Sequence, residues 1–122
     1  MIVCITAAGE SLDAACHPAF GRAPYLLFID PETKSLDVFR NMAPAHGAGI
    51  QSAQTVADHG ATALITGNVG PNAFQALKAA GIAAYVGATG TVTDALAAYQ
   101  NGSLRTADAP TNPGHSGGRM RP

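Results

Sequence analysis

Charge is scarce in this sequence. Lys and Arg number 7 and Asp and Glu 8 among 122 residues, so charged side chains make up 12% of the chain and the net charge is −1. That is about half the usual charged share of a globular domain. A protein that binds nucleic acid by neutralising phosphates carries a surplus of Lys and Arg, so nucleic acid is excluded as a partner class. Cysteine is also sparse. Cys4 and Cys16 are the only two, too few for a disulfide framework. No apolar run approaches the ~18–20 residues that span a membrane. The opening Met1-Ile2-Val3-Cys4-Ile5 lacks the basic stretch of a signal peptide, so a cytoplasmic chain without a membrane partner is expected. Neither a phosphate loop with its lysine nor a G-x-G-x-x-G after the first strand is present, which disfavours nucleotide binding.

Small and apolar residues are what the chain has in quantity. Hydrophobic residues reach 47%, enough for one core in a single domain, and there are 14 glycines. Residues 2–6 read as a continuous apolar strand of the kind buried on both faces. A loop rich in small residues runs from Ala7 to Ala23, and Tyr25 to Ile29 is a second apolar strand. Asp30-Pro31-Glu32-Thr33-Lys34 has turn chemistry and leads to a third, edge-like strand over Leu36 to Arg40, which predicts a hairpin. From Gly49 to Asp58, Ile50, Ala53, Val56 and Ala57 share one helical face. A strand at Ala63–Thr66, a helix opened by Pro71 and closed by Gly81, and a strand at Ile82–Val86 follow. The last helix opens on Thr91 and Asp94 at capping-box spacing and stops at Gly102.

Strands one, four and five are expected to be parallel, with the hairpin as a mixed edge. The fold class is therefore α/β: a ribonuclease-H-like three-layer domain with a mixed, mostly parallel five-stranded sheet and three helices. The domain is expected over residues 1–106. Residues 107–122, rich in Pro, Gly and Ser, read as a flexible C-terminal tail.

Three glycine-rich loops lead into the helices: His46-Gly47-Ala48-Gly49, Gly67-Asn68-Val69-Gly70 and Gly87-Ala88-Thr89-Gly90. Ligands of open α/β sheets collect beyond the carboxyl ends of the strands. There the unpaired amides and the dipole of each helix start favour negative charge. Three such starts converging would form an anion cradle, with Ala7-Ala8-Gly9 as a fourth wall. A glycine in each loop is equally the ordinary chemistry of a turn. Arg22 reads either as a cation paired with an anionic guest or as a solvated surface group. His46 reads as a contact to the guest or as a loop histidine bonded to backbone. Cys16 and His17 are candidate metal ligands, or a free loop thiol beside a surface imidazole; two ligands make no structural site. His59, ending a helix, is read as structural, and the tail His115 is assigned no role.

Hydrolytic chemistry finds little support. Two-metal nuclease work needs clustered carboxylates, whereas Glu10, Asp13, Asp30, Asp37 and Asp58 are scattered over loops, a hairpin and a helix end. Cys16 and His17 are adjacent in sequence, a spacing at which side chains rarely reach one another as nucleophile and base.

Several segments, in order, resemble the dinitrogenase iron–molybdenum cofactor-binding family. They are Phe20-Gly21-Arg22-Ala23-Pro24-Tyr25, Gly47-Ala48-Gly49-Ile50-Gln51, the run from Ile65 to Phe74, Leu77 with Ala80-Gly81-Ile82, and Val92 through Leu104. Within that family a stand-alone domain of this size resembles the orange-protein group, which carries a molybdenum–copper sulfide cluster. The resemblance implies a protein that is not an enzyme and that carries or stores an anionic, molybdenum-containing metal–sulfur cluster without a covalent tether. It implies a site of the glycine loops with Arg22 and His46, flanked by Ile50 and Val69, and a cluster-donating or cluster-accepting protein as partner. No cysteine lies in the glycine loops, so retention there would rest on amides, shape and charge. A partner-binding or regulatory domain that no longer holds metal, and a metal-dependent hydrolase, are the competing readings.

Overall fold

A computed structural model describes residues 1–40 and 48–107. In chain order the elements are β1 (Ile2–Ala7), β2 (Tyr25–Asp30), β3 (Ser35–Arg40), α1 (Ala48–Asp58), β4 (Ala61–Ile65), α2 (Pro71–Ala79), β5 (Ala83–Val86), α3 (Val92–Gln100) and β6 (Arg105–Thr106). They form one sheet in the order β3-β2-β1-β4-β5-β6.

β1 and β2 are apolar except at Thr6 and Asp30 because both of their faces are covered. Cys4, Leu26, Phe28, Leu64, Ala84 and Val86 face one cluster with Ala53 and Val56 of α1 and Ala73, Phe74 and Leu77 of α2. Val3, Ile5, Leu27, Ile29, Ala63 and Ile65 face the other with Val92 and Ala95 of α3. A side chain points to alternate faces at each step along a strand, so one apolar run serves two cores. The result is a layer of two helices, the sheet, and a layer of one helix.

β1 pairs in parallel with β4, and β4 with β5, as expected. The five-stranded, mostly parallel sheet is corrected: a sixth strand is present and the antiparallel pairings outnumber the parallel ones. β1–β2, β2–β3 and β5–β6 are all antiparallel. β6 is two exposed residues long, and a piece so short and solvated leaves no periodic signal in the sequence. It pairs with β5 through Tyr85↔Thr106 and Val86↔Arg105. Beyond it, Ala107 N–H still bonds to Ala84 O at 2.8 Å; the rest of the expected tail lies outside the described residues. Among those residues no helix is long and apolar enough to cross a membrane.

His59 takes the structural part expected of it. Its ring stacks on Phe28 at 4.2 Å and meets Phe39 edge-on at 5.7 Å. Its Nδ1 lies 2.9 Å from Thr55 O at the last turn of α1, and because a carbonyl only accepts, Nδ1 carries the proton.

Candidate functional site

β1, β4 and β5 run parallel side by side, so their carboxyl ends and the loops after them gather on one edge of the sheet. The long connection from β1 to β2 folds back over this edge through three isolated bridges, Ala7↔Cys16, Ala15↔Thr91 and Ala19↔Asn68. Its closest approach is to the loop after β4. Asn68 N–H donates to Pro18 O at 2.7 Å and Phe20 N–H to Asn68 O at 3.3 Å. A Cβ on Gly67 would stand 2.6 Å from Pro18 O and 2.8 Å from Pro18 Cα. Gly67 is thus glycine because another backbone passes against it.

Beneath this crossing lie two fully buried hydroxyls, Thr6 at the end of β1 and Thr66 just past β4. Thr6 Oγ1 donates to His17 O at 2.7 Å and lies 2.9 Å from Thr66 Oγ1. Thr6 has one proton and the carbonyl can only accept, so Thr66 is the donor within the pair. His17 N–H returns to Thr6 O at 2.9 Å. Sequence reasoning passed over both threonines. The available signal was that each is the single polar residue closing an apolar strand, in Cys4-Ile5-Thr6 and Leu64-Ile65-Thr66.

The three helix starts differ. α3 is closed by the protein itself. Val92 N–H donates to Ala14 O at 2.9 Å and Thr93 N–H to Leu12 O at 3.0 Å. Thr91 and Asp94 complete the capping box with bonds of 3.0 and 3.1 Å. Gly87 N–H and Ala88 N–H donate to Gly67 O and Thr66 O. Gly90, at φ +82°, sits so close to Asp94 that a Cβ would meet its Oδ2 at 2.6 Å. The first-turn amides of α3 are therefore engaged by the protein's own acceptors. Replacing Thr91 with alanine should cost about 1 kcal/mol of unfolding free energy, read by urea denaturation. A change below a few tenths would mean that the box contributes nothing.

α2 is the opposite case. Its N-cap is Gly70, which has no side chain, and no side-chain cap hydrogen bond is made. Pro71 follows at the first helical position, where a missing N–H costs nothing. Phe74 N–H donates to Gly70 O at 2.9 Å, the first bond of the helix. A Cβ added to Gly70 would meet nothing within 4 Å. Asn68 is exposed beside this start. Val69 is 0% exposed, so its side chain belongs to the core cluster and only its backbone borders the loop.

Arg22 is exposed, on a turn in which its N–H donates to Ala19 O at 3.3 Å. Through the Ala19↔Asn68 bridge that turn borders the start of α2. The guanidinium makes no ion pair with the described residues. Ile50, in the first turn of α1, is 51% exposed. Ala48 and Gly49 open that helix, while His46, Gly47 and His115 lie outside the described residues.

Cys16 and His17, the candidate metal ligands, sit in different surroundings. The Cys16 thiol is buried, which pushes its pKa above the ordinary thiol value and keeps it protonated. His17 Nδ1 accepts Ala19 N–H at 3.1 Å. Among the described residues no three His, Cys, Asp or Glu side chains come together as a set that could hold a metal ion. This edge can therefore offer N–H groups and a cation to an anion, and lacks a thiolate cage. A cavity of about 200 Å³ lies elsewhere, between the later half of α2 and β5–β6, lined chiefly by Phe74, Leu77, Ile82 and Ala84.

Comparison with known proteins agrees with this architecture. The orange protein from Desulfovibrio gigas, in its apo form, superposes with a TM-score of 0.85 at 38% identity, covering 91% of this chain and 96% of that one. A Thermotoga protein described as NifB-like, solved by NMR, gives 0.77 at 38% identity, covering 86% and 91%. An uncharacterized protein of Methanocaldococcus jannaschii is 30% identical over 92 residues, 71% of this chain and 78% of that protein. The family model described as dinitrogenase iron-molybdenum cofactor matches residues 1–102. The chain belongs to the dinitrogenase iron–molybdenum cofactor family.

Proposed function

We propose that this protein binds and carries, or stores, an anionic molybdenum-containing metal–sulfur cluster, with a molybdenum–copper sulfide as the form that suits it best. It acts as a carrier in the cytoplasm and not as a catalyst, and passes its cargo to or from a second protein. The observation that carries the reading is the uncapped start of α2, bordered by the exposed Arg22 and Asn68. Backbone N–H groups and the helix dipole there favour a negative guest, and Arg22 adds a fixed positive charge. Family membership supplies the class of guest. The strand order β3-β2-β1-β4-β5, with β2 reversed, supports a ribonuclease-H-like arrangement used as a scaffold. The family resemblance also assigns Ile50, in the first turn of α1, to the proposed site.

The residues suit an anion held from outside. They would hydrogen-bond the sulfur or oxygen atoms on the surface of the cluster and leave its metals to its own ligands. Full-length protein mixed anaerobically with tetrathiomolybdate and copper should develop visible charge-transfer bands and elute from gel filtration with both metals. Elution free of metal would sink the reading. Arg22→Ala should weaken retention about fivefold, as befits one exposed charge; unchanged retention removes Arg22 from the site.

A further inference from the structure

We infer that His17 serves the anion site as a hydrogen-bond donor through Nε2–H, and not as a metal ligand. This rests on the carrier reading above. The backbone of His17 is fixed on both sides, its N–H on Thr6 O at 2.9 Å and its O beneath Thr6 Oγ1 at 2.7 Å. Its ring turns back on its own chain, where Nδ1 accepts Ala19 N–H at 3.1 Å. A neutral imidazole has one accepting and one donating nitrogen. With the lone pair of Nδ1 engaged, the proton sits on Nε2.

That assignment settles what the ring can do. A metal ligand must present a free lone pair, and neither nitrogen has one. A free N–H remains, since Nε2 has no acceptor among the described residues and the ring is only half-buried. The next residue, Pro18, accepts Asn68 N–H at 2.7 Å and presses on Gly67. The turn that locks the tautomer is thereby fastened beside the open start of α2. An N–H carried on that turn suits a sulfido or oxo atom of an anionic guest held at the start of α2, with the Ala19 bond acting as its orienting partner.

The test uses full-length protein and tetrathiomolybdate alone. Long-range ¹H–¹⁵N spectra should show His17 as the Nε2–H tautomer before and after the anion is added, with Nε2–H shifting on binding. In His17→Asn, Oδ1 can still accept Ala19 N–H while the amide nitrogen takes the place of ring Cδ2, so no donor remains at the position of Nε2. Affinity should fall roughly tenfold, as for one hydrogen bond to a charged group, with the amide spectrum otherwise preserved. An Nδ1–H tautomer, or unchanged affinity of the variant, overturns the proposal and leaves His17 as a turn residue. If His17→Asn does not fold, the wild-type spectra decide alone, and a static Nε2–H resonance counts against the proposal. Wild-type protein that ignores tetrathiomolybdate overturns the carrier reading itself, a result separable from the other two.

Discussion

Replacing Gly67 with alanine is expected to lower the unfolding free energy by about 2–3 kcal/mol, toward the upper end of the cost of overpacking. The added methyl would stand 2.6 Å from Pro18 O and 2.8 Å from Pro18 Cα. Both are backbone atoms, so no side chain can swing aside. Relief requires the loops to part, and with them the bonds of Asn68 N–H to Pro18 O and Phe20 N–H to Asn68 O. The second consequence is functional. Arg22 and His17 are carried on that same segment, so the variant should also bind tetrathiomolybdate less well. Gly70→Ala is the control: a Cβ there meets nothing within 4 Å, and the poorer N-cap preference of alanine is offset in part by the smaller entropy of its unfolded chain, so stability should change by less than about 1 kcal/mol. Urea denaturation of the two variants side by side checks the pair. Equal stability of both would show that the crossing is looser than described.

Thr6→Val should cost a comparable amount, roughly 2–4 kcal/mol, through a different mechanism. The change keeps shape and removes one oxygen. His17 O then loses its 2.7 Å donor, and the Thr66 hydroxyl loses its acceptor at 2.9 Å. Both threonines are fully buried, so water cannot replace what is lost. A buried polar group left unsatisfied costs more than the net gain of the bond it made. Thr6→Ser retains the hydroxyl and loses one methyl, so it should be clearly milder, by about 1 kcal/mol relative to wild type. Chemical denaturation gives the comparison. A serine variant as damaged as the valine one would assign the role of Thr6 to packing and not to the hydroxyl.

Much of the fold is legible in the chain because its signals are local. Ile2–Ala7 and Tyr25–Asp30 are apolar but for Thr6 and Asp30, and burial on both faces explains that pattern. Asp30 announces the hairpin by accepting from Glu32 N–H at 2.9 Å, a contact within its own turn. Thr91 and Asp94 announce α3 in the same way. β6 was invisible because Arg105 and Thr106 become a strand only when Val86 and Tyr85 pair with them. The site was half legible. The loops after β4 and β5 do share an edge, yet their helix starts are not equivalent: Leu12 O and Ala14 O occupy the α3 amides from a segment some eighty residues away in sequence.

Composition and periodicity by themselves determined an α/β domain, its parallel centre, its hairpin and the turns that open and close its helices. Those features depend on contacts within a few residues or on burial, and both leave a trace in residue type. Only the tertiary structure decided which amides are already engaged, why Gly67 cannot carry a side chain and which nitrogen of His17 bears its proton. Each depends on the path of the non-periodic connection between Ala8 and Pro24, and a hydrogen bond to a distant carbonyl leaves no mark on the residue that donates it.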